Sequence, residues 1–257
     1  MERKNIKKMI ANNQLALGFT VNIPDPTIAE LAGLAGFDFL RLDGGHYIFT
    51  PDVIAKFVRA ADSVGVPVIV RVTDIQSASV LLDCGVAGIM VPSVKSAAHA
   101  KEIVDLLKYQ PLGYRQMCGS ARAQKYGAVS MEEYMKQAND EVIIVAQIED
   151  KEGIANMEEI VRVQGLDLLC TGRGDLSQAL GFGGQMNHPE VIATEDRILE
   201  CAEKAGLALQ LSAYDMKQAK IFVDRGVRAL TIGSDISQLK KKFSELVETR
   251  RHLPVKV

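Results

Sequence analysis

Eight short apolar runs, each followed by a stretch able to form a helix, constrain this chain more than any other feature. They lie near residues 15–21, 37–43, 66–71, 86–91, 142–148, 166–171, 206–211 and 228–232. Strand followed by helix, eight times in about 230 residues, fits a (β/α)₈ TIM barrel in both count and length. An open doubly wound sheet is the competing α/β arrangement. It calls for a glycine-rich phosphate turn after the first strand, and LGFTVNIPDP is not one.

Helix punctuation agrees with the alternation. Thr50 followed by Pro51 reads as a cap and a first-turn proline opening a helix that stops at Gly65. Ser130 with Glu133 is a capping-box pattern, and Pro189 starts a helix that runs to Gly206. The last helix, about 234–251, spaces Ile236, Leu239, Phe243, Leu246 and Val247 on one face and ends among basic residues that suit the negative pole of a helix. The segment from Tyr109 to Gly127 is too long for an ordinary connection, and long rim loops on barrels carry function.

Length and charge narrow the function class. A chain of 257 residues is normal for one barrel, so residues 1–257 are expected to form a single domain. Thirty basic and 32 acidic residues, mixed along the chain, leave a net charge of −2, which argues against nucleic acid and against a polybasic membrane anchor. No apolar stretch approaches the span of a bilayer, and the N-terminus MERKNIKKMI does not read as a secretory signal. Cys84, Cys118, Cys170 and Cys201 are scattered without a CxxC pair, which suits reduced thiols in a cytoplasmic enzyme.

Charged residues stand at the downstream ends of the runs: Asp43, Arg71, Glu149 and Asp175. In a parallel barrel those ends share one rim, so two carboxylates, an arginine and the nearby His46 become one candidate site. Glu149 and Asp175 would sit on adjacent strands, where a hard cation such as Mg²⁺ or Mn²⁺ takes oxygen ligands; the alternative is that each acid caps a helix. Arg71 can bind a carboxylate or stabilise developing negative charge, or else pair with Asp43 or Asp74. His46 follows Asp43 in LDGGHYIFTP, and an aspartate beside a histidine can orient the ring for proton transfer. Gly233-Ser234-Asp235 reads either as a phosphate cradle or as a simple cap at Ser234. None of the eight runs contains a lysine, so imine chemistry has no candidate and a metal ion is the more natural electron sink.

These residues resemble the HpcH/HpaI aldolase family, metal-dependent class II pyruvate aldolases. The resemblance spans nearly the whole chain and rests on FDFLRLDGGH, VPVIVRV, LLDCGVAGIMVPSV, YQPLGYR, VIIVAQIEDKEGIANMEEI and GRGDLSQALGFGGQMNHPEV. It implies that Glu149 and Asp175 bind Mg²⁺ or Mn²⁺, with Co²⁺ as a further option. It implies that Gln147 and the backbone around Gly174 hold substrate, that Arg71 contacts the keto-acid oxygens, and that His46, assisted by Asp43, transfers a proton. Asp83 matches a family acid near a subunit boundary. The implied assembly is a homo-hexamer of two trimers with the C-terminal helix exchanged between subunits. The implied reaction is reversible cleavage of a 4-hydroxy-2-keto acid to pyruvate and an aldehyde, with oxaloacetate decarboxylation as a side activity.

The chain departs from the pattern in three places. Gly45 stands where the family has Glu before the histidine, Arg173 falls in the usual G-P-x-D, and Gln116 replaces a glycine after the arginine of the PxGxR turn. An extra cation at Arg173 either binds an acidic substrate tail or points to solvent. Two alternatives accompany the aldolase reading: a citryl- or malyl-CoA lyase, and a keto-acid-binding homologue with weak catalysis, which Gly45 supports.

Overall fold

The computed structural model describes residues 2–250 and closes the eight runs, in sequence order, into one parallel barrel. Its strands are β1 Ala16–Val21, β2 Phe39–Asp43, β3 Val68–Arg71, β4 Gly88–Val91, β5 Ile143–Ile148, β6 Leu168–Thr171, β7 Ala208–Ala213 and β8 Ala229–Ser234. The helices are α1 Ile6–Ala11, α2 Thr27–Leu34, α3 Pro51–Ser63, α4 Ala78–Asp83, α5 Ala97–Leu107, α6 Met131–Glu141, α7 Lys151–Ala155, α8 Met157–Ile160, α9 Arg173–Ala179, α10 Pro189–Ala205, α11 Met216–Asp224 and α12 Asp235–Thr249. Closure between β1 and β8 runs from Ala16 opposite Ala229 to Thr20 opposite Ser234, with a register shift between Gly18 and Thr20.

Side chains alternate across each strand, so every second residue points into the barrel. The lower interior is apolar: Ala16, Phe39, Ile69, Met90, Ile143, Val145, Leu168, Cys170 and Ala229 pack together, with Ile6 of α1 buried among them. Phe39 fills so much of this layer that a Cβ on Gly18 would meet its ring at 2.3 Å. The next inward positions are polar, with Arg41 and Asp43 above Phe39, Arg71 above Ile69, and Gln147 above Val145. An apolar base therefore supports a charged mouth, which is how one closed sheet both folds and carries chemistry. The larger core lies between strands and helices, where Leu40, Leu42, Phe57, Ile103, Ile144 and Ile198 are buried.

Caps follow the sequence with two exceptions, at Thr50 and in the Ser130–Glu133 capping box, of which only the Ser130 half is formed. Ser130 accepts from the Glu133 amide at 3.2 Å, Pro189 opens α10, and Gly206 ends it at φ +73°. Pro51 opens α3 as expected, but the Thr50 hydroxyl donates to Asp52 at 2.5 Å instead of accepting from the helix. At the start of α12 the simple cap is the one formed: Ser234 and Ser237 bond reciprocally. The Asp235 carboxylate accepts from the Asn22 and Ile23 amides, as close as 2.8 Å, so it ties the β1 loop to α12 and leaves no phosphate cradle there.

The 109–127 segment needs correcting. Its 3₁₀ turn over Arg122–Gly127 is anchored by Arg122, which donates to Cys84 O at 3.1 Å and to Asp62 at 2.7 Å, both at the ends of helices that lead back into strand beginnings. The segment thus braces the base of the barrel and does not reach the mouth. On α12, Ile236, Leu239, Phe243, Leu246 and Val247 are all exposed, Phe243 at 60%. Arg251 and His252 lie outside the described residues.

Candidate active site

The downstream strand ends surround a cavity of about 290 Å³ lined by Arg41, Asp43, His46, Arg71, Gln147, Gly172, Arg173, Gly174, Asp175 and Ser212, among others. Arg71 is its hub. Only 8% exposed, it donates from Nε to Gln147 Oε1 at 3.2 Å and from Nη1 to Asp43 Oδ1 at 3.2 Å, and its Nη2 lies 3.7 Å from Glu149 Oε1. One guanidinium is held by three side chains from the ends of β2 and β5, an arrangement that a planar fork of donors satisfies and an ammonium does not.

Among the described residues, the hydrogen bonds of Asp43 go to groups other than His46. Its Oδ1 accepts from Arg71 and, at 3.1 Å, from the Gly45 amide, while His46 stands exposed at the cavity edge. A charge-assisted bond to a guanidinium outcompetes one to an imidazole, and the two glycines make it available. A Cβ on Gly45 would lie 2.2 Å from Arg71 Nη1, and one on Gly44 2.7 Å from the Arg71 carbonyl oxygen.

Glu149 is 2% exposed, at the end of the inward series of β5. Ser93 Oγ donates to its Oε1 at 3.4 Å, and its Oε2 is buried without a hydrogen-bond partner. Burial, and then the charge of Asp175, push the Glu149 carboxyl up to about 7, with Arg71 pulling the other way. A Cβ on Gly172 would sit 2.4 Å from that Oε2 and 2.6 Å from Gln147 Nε2, so only glycine lets β6 close over the pair. Neither acid caps a helix: Asp150 caps α7 by accepting from Gly153 at 2.7 Å, and Gly172 holds the cap position of α9. Among the described residues no third His, Cys, Asp or Glu completes a three-ligand cluster. An orphaned buried lone pair beside a second carboxylate fits a hard divalent cation, which needs only one or two carboxylates with waters and substrate oxygens.

The sequence profile described as HpcH/HpaI aldolase/citrate lyase matches residues 17–241. The chain belongs to this family. It is 34% identical to the hydroxypyruvate/pyruvate aldolase of Pseudomonas aeruginosa, over 93% of this chain and 90% of that protein. It is 31% identical to the 5-keto-4-deoxy-D-glucarate aldolase of Escherichia coli O157:H7, over 95% of each. The HpcH/HpaI aldolase structure from Desulfitobacterium hafniense DCB-2 superposes with a TM-score of 0.91 at 32% identity, covering 98% of both chains.

As an HpcH/HpaI protein, the chain can be read at its departures. Arg173 neither points to solvent nor stands free for a substrate tail: it donates from Nε to Glu195 Oε2 at 2.6 Å, and Thr171 donates to the other oxygen at 2.7 Å. Glu195, 3% exposed on α10, carries no sequence signal because it falls amid the ordinary polar periodicity of that helix. Asp83 does not line the cavity of its own chain and pairs with buried Arg115 at 2.5 Å. Gln116 is likewise away from the cavity. Gly174, by contrast, lies on the wall beside Asp175 in the first turn of α9.

Proposed function

We propose that the protein is a divalent-metal-dependent class II aldolase that reversibly cleaves a 4-hydroxy-2-keto acid to pyruvate and an aldehyde. The observation that carries this reading is the unpartnered, buried Glu149 Oε2 next to Asp175 and within reach of Arg71. The pyruvate and keto-sugar-acid aldolase names of two relatives point the same way. Glu149 and Asp175 would hold Mg²⁺ or Mn²⁺, with Co²⁺ a further option, and a cation there supplies Lewis acidity to the bound keto acid.

The chain's own groups divide the remaining work. Arg71, fixed by Asp43 and Gln147, faces the keto-acid oxygens and stabilises negative charge as it develops. His46, exposed at the cavity edge, takes the 4-hydroxyl proton through water during cleavage and returns it during condensation. Gln147 and the backbone around Gly174, both on the cavity wall, would help hold the substrate. The imine route lacks a residue: among the described residues lining the cavity there is no lysine, and buried Lys108 is bound elsewhere, to Asp167 at 3.2 Å and to Asn139 O at 3.1 Å.

The decisive experiment supplies pyruvate with a panel of aldehydes and follows carbon–carbon bond formation. Turnover should stop with EDTA and return with Mg²⁺ or Mn²⁺. Turnover that survives chelation, or a pyruvate adduct trapped by borohydride, would sink the proposal.

The exposed apolar stripe of α12 supports the hexamer of two trimers with this helix exchanged between subunits. Phe243→Asp should then lower the mass seen by light scattering to half or less, and an intact hexamer would remove α12 from the boundary.

A further inference from the structure

The turn that carries Asp175 is built from residues with little hold on their own conformation. It runs Thr171-Gly172-Arg173-Gly174-Asp175 from the end of β6 into the first turn of α9, and Gly172, at the cap position, offers that helix no side chain. Gly174 is not demanded by crowding: a Cβ on it would meet nothing within 4 Å, so its effect is to leave the backbone freer than another residue would. Asp175 is exposed, so packing does not aim its carboxylate and the backbone of the turn must.

Glu195 of α10 brackets this turn. It is 3% exposed, and its two oxygens take opposite sides of Gly172: Oε1 accepts from Thr171 Oγ1 at 2.7 Å, while Oε2 accepts from Arg173 Nε at 2.6 Å and lies 2.5 Å from Nη2. Thr171, Arg173 and Glu195 all line the cavity. A buried ion pair is a poor source of stability beside well-packed apolar side chains, so one placed here has more to offer by fixing a single backbone conformation. The residue in the middle is the glycine whose missing Cβ lets the chain close over Glu149 and Gln147. Movement of the turn therefore disturbs both carboxylates at once.

We propose that Glu195 is a positioning residue: its carboxylate clamps Thr171 and Arg173 across Gly172 and so holds the turn that presents Asp175 to the cation. What the turn presents rests on the metal-dependent aldolase reading. The clamp itself does not.

The test follows amide hydrogen exchange in the metal-free protein and Mn²⁺ binding by calorimetry on the same variants. Glu195→Leu should speed exchange at the Leu176 amide, which donates to Gly172 O at 2.8 Å, by about tenfold or more. It should weaken Mn²⁺ binding by about 10–100-fold, the scale for a group that orients a metal ligand. Glu195→Gln, which can still accept from Arg173, should fall between. Two double variants separate positioning from bulk stability. Added to Glu195→Leu, either Arg173→Met or Arg173→Pro removes the charge left unpaired and should restore the melting temperature. Only Arg173→Pro, which fixes φ at the first helical position, should also restore slow exchange and Mn²⁺ affinity. Full recovery with Arg173→Met, or unchanged exchange in Glu195→Leu, overturns the clamp. Glu203→Gln breaks another ion pair of α10, with Arg225 at 2.7 Å and away from the cavity, and should move neither readout; an equal effect there also overturns it. Should Glu195→Leu fail to fold, Thr171→Val removes one arm of the clamp, and unchanged exchange in that variant rejects the proposal. The two ideas fail separately. A wild type that binds no Mn²⁺ brings down the metal site and leaves the exchange comparison to judge the clamp, while Mn²⁺ affinity equal in wild type and Glu195→Leu brings down Glu195 alone.

Discussion

Glu149→Gln is expected to lower kcat/KM by at least about 10³-fold, since a Lewis acid contributes several kcal/mol and each factor of ten is about 1.4 kcal/mol. The amide keeps the shape of the side chain but neither its charge nor the orphaned Oε2 lone pairs on which the cation site depends. Calorimetric titration with Mn²⁺ is the independent check: wild type should bind and the variant should not. A variant that retains turnover would show that the buried carboxylate is a structural relic. The same residue predicts a pH dependence. Its folded, metal-free carboxyl is held up to about 7, whereas its ordinary value is 4.5, so the folded state binds this proton more tightly than the unfolded chain. The associated stability is fully present below the ordinary value and is lost as pH rises to about 7, an effect on the order of 3 kcal/mol. Melting temperature of the metal-free protein should thus fall across that window, and the slope should flatten in Glu149→Gln. Metal affinity should run oppositely, weakening below about pH 7 as the proton competes for the ligand.

The barrel was legible because parallel strands buried on both faces read as short unbroken apolar runs, and all eight runs became strands within about two residues of their expected ends. The rim acids and Arg71 were legible because a charge at the downstream end of such a run has one place to go. Arg41 carried the same kind of signal unnoticed: two residues before Asp43, it shares that strand face by simple alternation, yet inside FDFLRL it reads as an interruption. Length misled at 109–127, since the extent of a connection says nothing about which end of the barrel it leaves from. This one follows α5, which descends from the mouth, so it begins at the base. Partner choice was also beyond reach. Asp43 sits three residues from His46 in sequence, but its bonds go to a guanidinium from the neighbouring strand and an adjacent amide.

Arg71→Ala should reduce kcat by about 10²–10³, the usual consequence of removing a preorganised donor from developing negative charge. The loss has two sources that measurement can separate. One is direct, because among the described residues Arg71 is the cation that pairs with Glu149, while Arg173 is engaged by Glu195 and Arg41 by Ser212 and Thr20. The other is indirect, because Arg71 is the group that pulls the Glu149 carboxyl down against burial and Asp175. Without it the carboxyl rises further, and Mn²⁺ affinity at neutral pH should weaken while recovering at higher pH; the kcat defect should persist at saturating metal. Arg71→Lys restores charge without the fork that spans Gln147 and Asp43, so it should recover metal affinity better than kcat. Gly45 belongs to the same arrangement. Because a Cβ there would lie 2.2 Å from Nη1, a glutamate cannot be placed at position 45 without moving the guanidinium from Asp43. Gly45 and the pose of Arg71 are thus a matched pair, and a kcat loss smaller than tenfold in Arg71→Ala would show that the pose holds the strand ends together instead of serving the reaction.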